Sequence, residues 1–210
     1  MCQDWMYMVV QQKRKYEQKR RAELQEETRQ RIVEATAGLH REVGPAKTTI
    51  SAVAERAGVQ RLTVYRHFAD ERSLIRACSA HWRAQHPPPD PSAWPAIADP
   101  EERLRTALSA WYAYYATDEA MMGNVRRDAQ VLPALAEVIS DLPRFMAMVV
   151  DILAASWGAR GARRSRLVAA LGHVLAFDTW RSLERTQGLA PAAAVETAVA
   201  MVRGVAGRQQ

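Results

Sequence analysis

Cysteine is nearly missing from this chain of 210 residues: only Cys2 and Cys78 occur, far apart. That argues against a disulfide framework, and although His81 follows Cys78 by three residues, no second ligand pair stands at zinc spacing, so no metal is expected. Long apolar runs are also missing. The best stretches, 145–157 and 167–180, are short or interrupted by charge, so no membrane-spanning helix is expected. The start, MCQDWMYMVVQQKRKYEQKRR, puts its basic cluster after a short apolar run and has no small-residue cleavage site. This reverses the order of a secretory signal, and a cytoplasmic protein is expected. Catalytic fingerprints are absent as well: there is no nucleophile elbow, HExxH, phosphate loop or dinucleotide motif. Gly158-Ala159-Arg160-Gly161 lacks the strand and third glycine of a phosphate loop, and His81 and His86 are spaced poorly for one helix face. An enzyme is not expected and no cofactor is implied.

What is present begins with charge. Lys and Arg number 29 against 23 acidic residues, net +6. Residues 1–80 hold 15 basic and 10 acidic side chains, net +5, whereas residues 81–210 hold 14 and 13, net +1. A basic end joined to a near-neutral remainder is the footprint of nucleic-acid binding, with a merely solvated basic face as the alternative.

Ten glycines and long Ala-, Leu- and Arg-rich stretches favour helix almost everywhere, with no credible strand pair. An all-α chain is therefore expected. Consecutive prolines in Gln85-His86-Pro87-Pro88-Pro89-Asp90-Pro91 cannot continue a helix and mark the clearest boundary. The expected organisation is a basic extension over 1–24, a DNA-binding domain over 25–85, a Pro-rich linker over 86–98 and a helical domain over 99–210. In the first domain Ile32, Ala35, Thr36, Leu39 and Val43 recur at helical spacing until Gly44-Pro45. Thr48 or Thr49 caps a short second helix closed by Gly58; a third runs from Gln60 to about His67, and a fourth begins at the N-cap Asp70. Beyond the prolines, Asp99-Pro100-Glu101-Glu102 is a start signal. Segments near 119–130, 133–139 and 143–157 follow, then one helix from about 162 to 186 and another from 191 to about 205.

The segment TTISAVAERAGVQRLTVYRHF, residues 48–68, reads as a helix-turn-helix. Its first helix is small-sided through Ala52, Val53, Ala54 and Ala57, so that the second can cross closely, and Gly58 makes the turn. The second presents Gln60, Arg61, Thr63 and Arg66, side chains that can donate to base edges or phosphates in a major groove.

Through TRQRIVEATAGLHREVG, TTISAVAERAGV and TVYRHFADERSL, the chain from about Thr28 to Trp82 resembles the TetR family of bacterial transcriptional regulators. The resemblance implies that Thr49, with Thr48 beside it, caps the second helix near a phosphate, and that Tyr65 and His67 contact the DNA backbone. Gln60, Arg61 and Leu62 are the candidates for base edges, Leu62 by meeting a thymine methyl. A capping or core role is the alternative for His67, and Phe68 is expected to be a core anchor. Three departures stand out: His40 replaces a phenylalanine, Leu62 a small residue and Glu71 a phosphate-contacting lysine, for which Arg72 can substitute. The extension carries Lys13, Arg14, Lys15, Lys19, Arg20 and Arg21, either a DNA-binding arm or a solvated prolongation of the first helix.

The resemblance further implies an effector pocket in the second half. Trp111, Tyr115, Met122 and Met146 are candidates to line it, with His173, Phe177 and Trp180, because aromatic and Met walls suit apolar or aromatic small molecules. It also implies a homodimer through the last two helices, whose small faces (Ala194, Val195, Ala198, Val199, Val202) suit close packing or else cover the monomer's own core. The expected function is a sequence-specific transcriptional repressor released from a near-palindromic, double-stranded operator by a small-molecule effector. A constitutive DNA-binding protein without effector, and a helical enzyme or interaction module, are the alternatives.

Overall fold

The computed structural model describes residues 2–207, with backbone alone for 2–11 and 13. Among these residues eleven α-helices and several single turns occur and no strand, the all-α class expected. The chain divides into two compact units, Met1–Trp82 with Asn124–Leu135, and Arg83–Gly123 with Ala136–Gln210.

The first unit begins with a long helix, α1 (Cys2–Glu42), which runs without interruption through the basic stretch and at 41 residues is about 60 Å long. Among its described side chains those of the last turns meet the core: Ile32, Val33, Ala35 and Leu39 are buried, as is Thr36, whose hydroxyl donates to Ile32 O. Val43 is exposed because α1 has ended one residue earlier. Helices α2 (Ile50–Ala57), α3 (Arg61–His67) and the start of α4 (Glu71–Gln85) close the core with Val53, Ala54, Ala57, Val64, Phe68 and Leu74.

The end of α1 is fixed from a distant part of the chain. A helix leaves its last four carbonyls unpaired, and here Asn124 Nδ2 donates to His40 O (3.0 Å) and Arg41 O (2.9 Å). Asn124 and Asp128 belong to α6 (Glu119–Asp128). The buried Asp128 carboxylate accepts the Ala46 N–H at 2.9 Å and pairs with Arg127 at 2.7 Å. Burial alone would raise its pKa, but the Arg127 bond, the Ala46 N–H and the Lys47 charge outweigh this and hold it below the ordinary carboxylate value. Between these anchors Gly44 has φ +96°, and a Cβ there would lie 2.3 Å from Arg127 Nη2 and 2.4 Å from Asp128 Oδ2.

In the second unit α5 (Pro100–Thr117) is started by Asp99, whose carboxylate accepts the Glu102 N–H. It buries Leu104, Leu108, Trp111 and Tyr115 against α8 (Leu142–Ala154), α9 (Gly161–Val174) and α11 (Pro191–Ala206). The short α7 (Pro133–Val138) stands in the segment between α6 and α8. Segment 91–97, expected to be linker, instead winds into a 3-10 turn that buries Trp94. The buried Arg103 guanidinium secures it by donating to the carbonyls of Pro95, Ile97 and Ile152.

The single helix expected over 162–186 is broken. It ends at Val174, resumes as α10 (Phe177–Arg181) after the extended Ala176, and passes into a π-turn at Ser182–Thr186. Three hydroxyls compensate the break: Thr179, Tyr112 and Tyr115 donate to the carbonyls of His173, Val174 and Leu175. The small face of α11 takes the second of the two roles expected for it. Ala194, Val195, Ala198, Val199 and Val202 are buried inside this unit, so those five side chains cover the chain's own core.

The turn after α1 should be far less tolerant than the turn after α2, where Gly58 has φ +66° but a Cβ would meet nothing within 4 Å. Gly44→Ala should cost about 2–4 kcal/mol, combining a backbone region closed to side chains with the clash; Gly58→Ala should cost only about 1–2 kcal/mol. Urea midpoints of both variants check this, and equal losses would contradict it.

Candidate nucleic-acid interface

The helix-turn-helix is made by local chemistry. Thr49 Oγ1 accepts the Ala52 N–H (3.2 Å) and caps α2, while Thr48 Oγ1 donates to Gly44 O. At the other end Gly58 N–H bonds to Glu55 O and Val59 N–H to Ala54 O, the pairing of a Schellman turn. The chain then enters α3 at Gln60, which stands at the N-cap without capping through its side chain.

One side of α3 faces inward through Val64, fully buried, and Phe68 follows it into the core. The opposite arc carries Arg61, Leu62, Tyr65 and Arg66, all exposed, with Gln60 exposed at its start. Leu62 is 64% exposed, a large apolar side chain that nothing in the unit covers. Thr63 and His67 flank the arc and are half-buried. Thr49 is exposed, Thr48 half-buried, and Arg72 stands exposed on the first turn of α4. The residues singled out in the sequence are thus brought together on α3 and the starts of α2 and α4. Glu71 occupies the first turn of α4, where a carboxylate suits the helix dipole. Asp70 caps that helix by accepting the Ser73 N–H at 2.7 Å, which lowers its pKa.

Several supports of this surface escaped the sequence. Arg29 of α1 lies over the Phe68 ring, 4.9 Å from its centroid. Arg56 of α2 pairs with Glu42 through two hydrogen bonds. Asn124 and Asp128 hold the turn that leads into α2, and nothing in their spacing announces a contact across more than 80 residues. His40 is buried behind the surface, its Nδ1 3.5 Å from Cys78 Sγ. Burial, partly offset by the Asp128 charge, pulls the imidazole down to about 4, and burial pushes the Cys78 thiol up to about 12. Both are neutral at pH 7.

The effector candidates lie in the second unit. Trp111, Tyr115, Phe177 and Trp180 form one aromatic cluster, with centroids 5.3–5.5 Å apart along Trp111–Tyr115–Phe177 and Phe177–Trp180. Met122 and Met146 pack against the same core half-buried, whereas His173 is exposed on α9, apart from the buried rings. The indole N–H groups of Trp111 and Trp180 are buried without a hydrogen-bond partner.

The capped α2, the Gly58 turn and the exposed α3 together define a helix-turn-helix. Residues 32–78 match the model of the bacterial regulatory proteins of the tetR family. The repressor NalD, the secondary repressor of the MexAB-OprM multidrug efflux pump in Pseudomonas aeruginosa, is similar in structure, with TM-score 0.60 and 22% identity over 87% of this chain and 97% of that one. FadR from Bacillus subtilis, solved in complex with stearoyl-CoA, gives 0.59 and 15% over 82% and 96%. A TetR-like transcriptional regulator from Rhodococcus sp. RHA1 gives 0.55 and 21% over 86% and 97%. No curated protein matches by sequence. This chain has the fold of TetR-like transcriptional regulators, and within it residues 32–78 match the family's model.

The buried His40 should make the first unit acid-sensitive. The unfolded chain protonates this histidine near pH 6.5 and the folded one only near 4. Stability present above pH 6.5 is therefore lost as the pH falls, by about 2 kcal/mol between pH 7 and 5. Urea unfolding at the two pH values measures it, and His40→Phe should remove most of the difference; an unchanged difference would contradict the assignment.

Proposed function

We propose that the protein is a sequence-specific repressor that binds a near-palindromic operator and is released from it by a small molecule. The observation that carries this reading is the exposed arc of α3. Arg61, Leu62, Tyr65 and Arg66 stand outward on a helix whose other side is locked by Val64. In a major groove, Gln60, Arg61 and Leu62 meet base edges. Thr48, Thr49, Tyr65, His67 and Arg72 meet the backbone, and Thr63 and Arg66 stand beside them. An uncovered leucine at this place costs apolar exposure in the free protein and is matched by a thymine methyl.

The effector is an apolar or aromatic molecule held by Trp111, Tyr115, Met122, Met146, Phe177 and Trp180. The unpartnered N–H groups of Trp111 and Trp180 favour one that brings a hydrogen-bond acceptor. His173, being exposed, is left out of this lining. FadR was solved with an acyl-CoA and NalD is described as a repressor, which supports both halves of the reading. The effector acts by binding the DNA-incompetent state more tightly, with α4, which runs from the first unit into the second, as the element displaced.

The homodimer uses α9 and α11, through the faces their own unit leaves exposed. These are small-sided as well, with Ala169 and Gly172 on α9 and Ala193, Ala200 and Gly204 on α11. A two-fold pair sets its recognition helices one DNA turn, about 34 Å, or a multiple of it apart.

Gel-shift titration with the DNA flanking the protein's own gene tests the proposal. Wild type should give a discrete complex, and Tyr65→Ala with Arg61→Ala should weaken it by about 10²-fold or more. A folded double variant that binds as wild type does would overturn the assigned surface.

A further inference from the structure

A cavity of about 160 Å³ lies in the first unit behind the recognition surface. Its walls are apolar, formed by Val53, Phe68, Leu74 and Ile75, each no more than 4% exposed. An apolar cavity of roughly 150 Å³ is large enough to hold benzene. This one is not purely apolar. His40 borders it, neutral and 5% exposed, with its Nδ1 engaged by Cys78. The exposed residues Tyr65, Asp70 and Glu71 also line it, and no lysine or arginine does.

This combination selects a ligand by charge as well as size. The charged residues of the lining are both acidic, with Arg72 and Arg76 near Asp70 but outside the lining, so an anion is disfavoured there, and a neutral ring would fill the floor alone. We propose that the cavity is a binding site for a compact aromatic amine, its ring against Val53, Phe68, Leu74 and Ile75 and its ammonium group at the Asp70 and Glu71 rim beside Tyr65. Burial of the ring supplies most of the affinity, while the carboxylates and the aromatic face discriminate for the cation. Thr49 and Tyr65 border the cavity and also belong to the surface assigned to DNA, so an occupant would act on DNA binding directly. That consequence rests on the proposed function; occupancy itself does not.

Methyl NMR of the full chain without DNA, titrated with benzylamine, benzyl alcohol and benzoate at pH 7, tests the site. Benzylamine should saturate, shift the methyls of Val53, Leu74 and Ile75, and bind about tenfold or more tightly than benzoate. Filling the space with Ile75→Phe should reduce its affinity by about tenfold. Glu71→Gln, at an exposed position that leaves the core untouched, should bring benzylamine toward benzyl alcohol, and this arm decides if Ile75→Phe fails to fold. Absence of saturation, equal binding of benzoate, benzylamine affinity unchanged in Glu71→Gln, or shifts confined to the second unit would each overturn the proposal. Loss of the proposed operator binding would leave these readouts unaffected.

Discussion

The helix-turn-helix depends on one buried carboxylate. Asp128 accepts the Ala46 N–H and pairs with Arg127, while Asn124, one turn earlier, satisfies the last carbonyls of α1. Together they set where α1 stops and where the chain re-enters as α2. The path between allows no side chain at Gly44, because one would occupy the space of Arg127 and Asp128. Thr48 then bonds back to Gly44 O and Thr49 caps α2. The direction of α2, and through the Gly58 turn that of α3, follows from this anchored corner. An ionised, hydrogen-bonded acid is costly to bury unless its partners are in place, so the arrangement is either complete or lost.

The helix-turn-helix was legible in the sequence because the forces that make it are local. Thr49, Gly58 and Asp70 act on backbone groups within a few residues, and the inward Val53, Ala54 and Val64 follow helical periodicity. The exposed arc of α3 is the complement of that periodicity. What was not legible depends on contacts distant in sequence. Asn124 and Asp128 resemble ordinary polar residues of a helix until α1 is placed beside them. The prolines after Gln85 suggested a linker, yet Trp94 is buried and Arg103 gathers the carbonyls around it. The continuous apolar pattern of 162–186 concealed a break, because the hydroxyls that make it affordable come from Tyr112 and Tyr115 on another helix. The small face of α11 suited a partner helix, and the partner lies in the same unit.

The buried His40 has a physical consequence for the first unit. A neutral, buried imidazole sits against an inert buried thiol on one side and borders a cavity on the other. It leaves acid sensitivity in the folded state and room behind Tyr65. The N-terminal basic stretch adds length to α1, and its described residues 14–21 are exposed. Its charges belong to the same electrostatic asymmetry that first pointed to nucleic acid, and Lys13 among them lies outside the described side chains.

The most direct test of the account is retention of genomic DNA fragments by the purified protein at near-physiological salt, followed by sequencing, since phosphate contacts alone give binding that salt removes. The account predicts a shared, near-palindromic site with half-sites about one helical turn, or a multiple of it, apart. Salt-sensitive retention without a common site would contradict it.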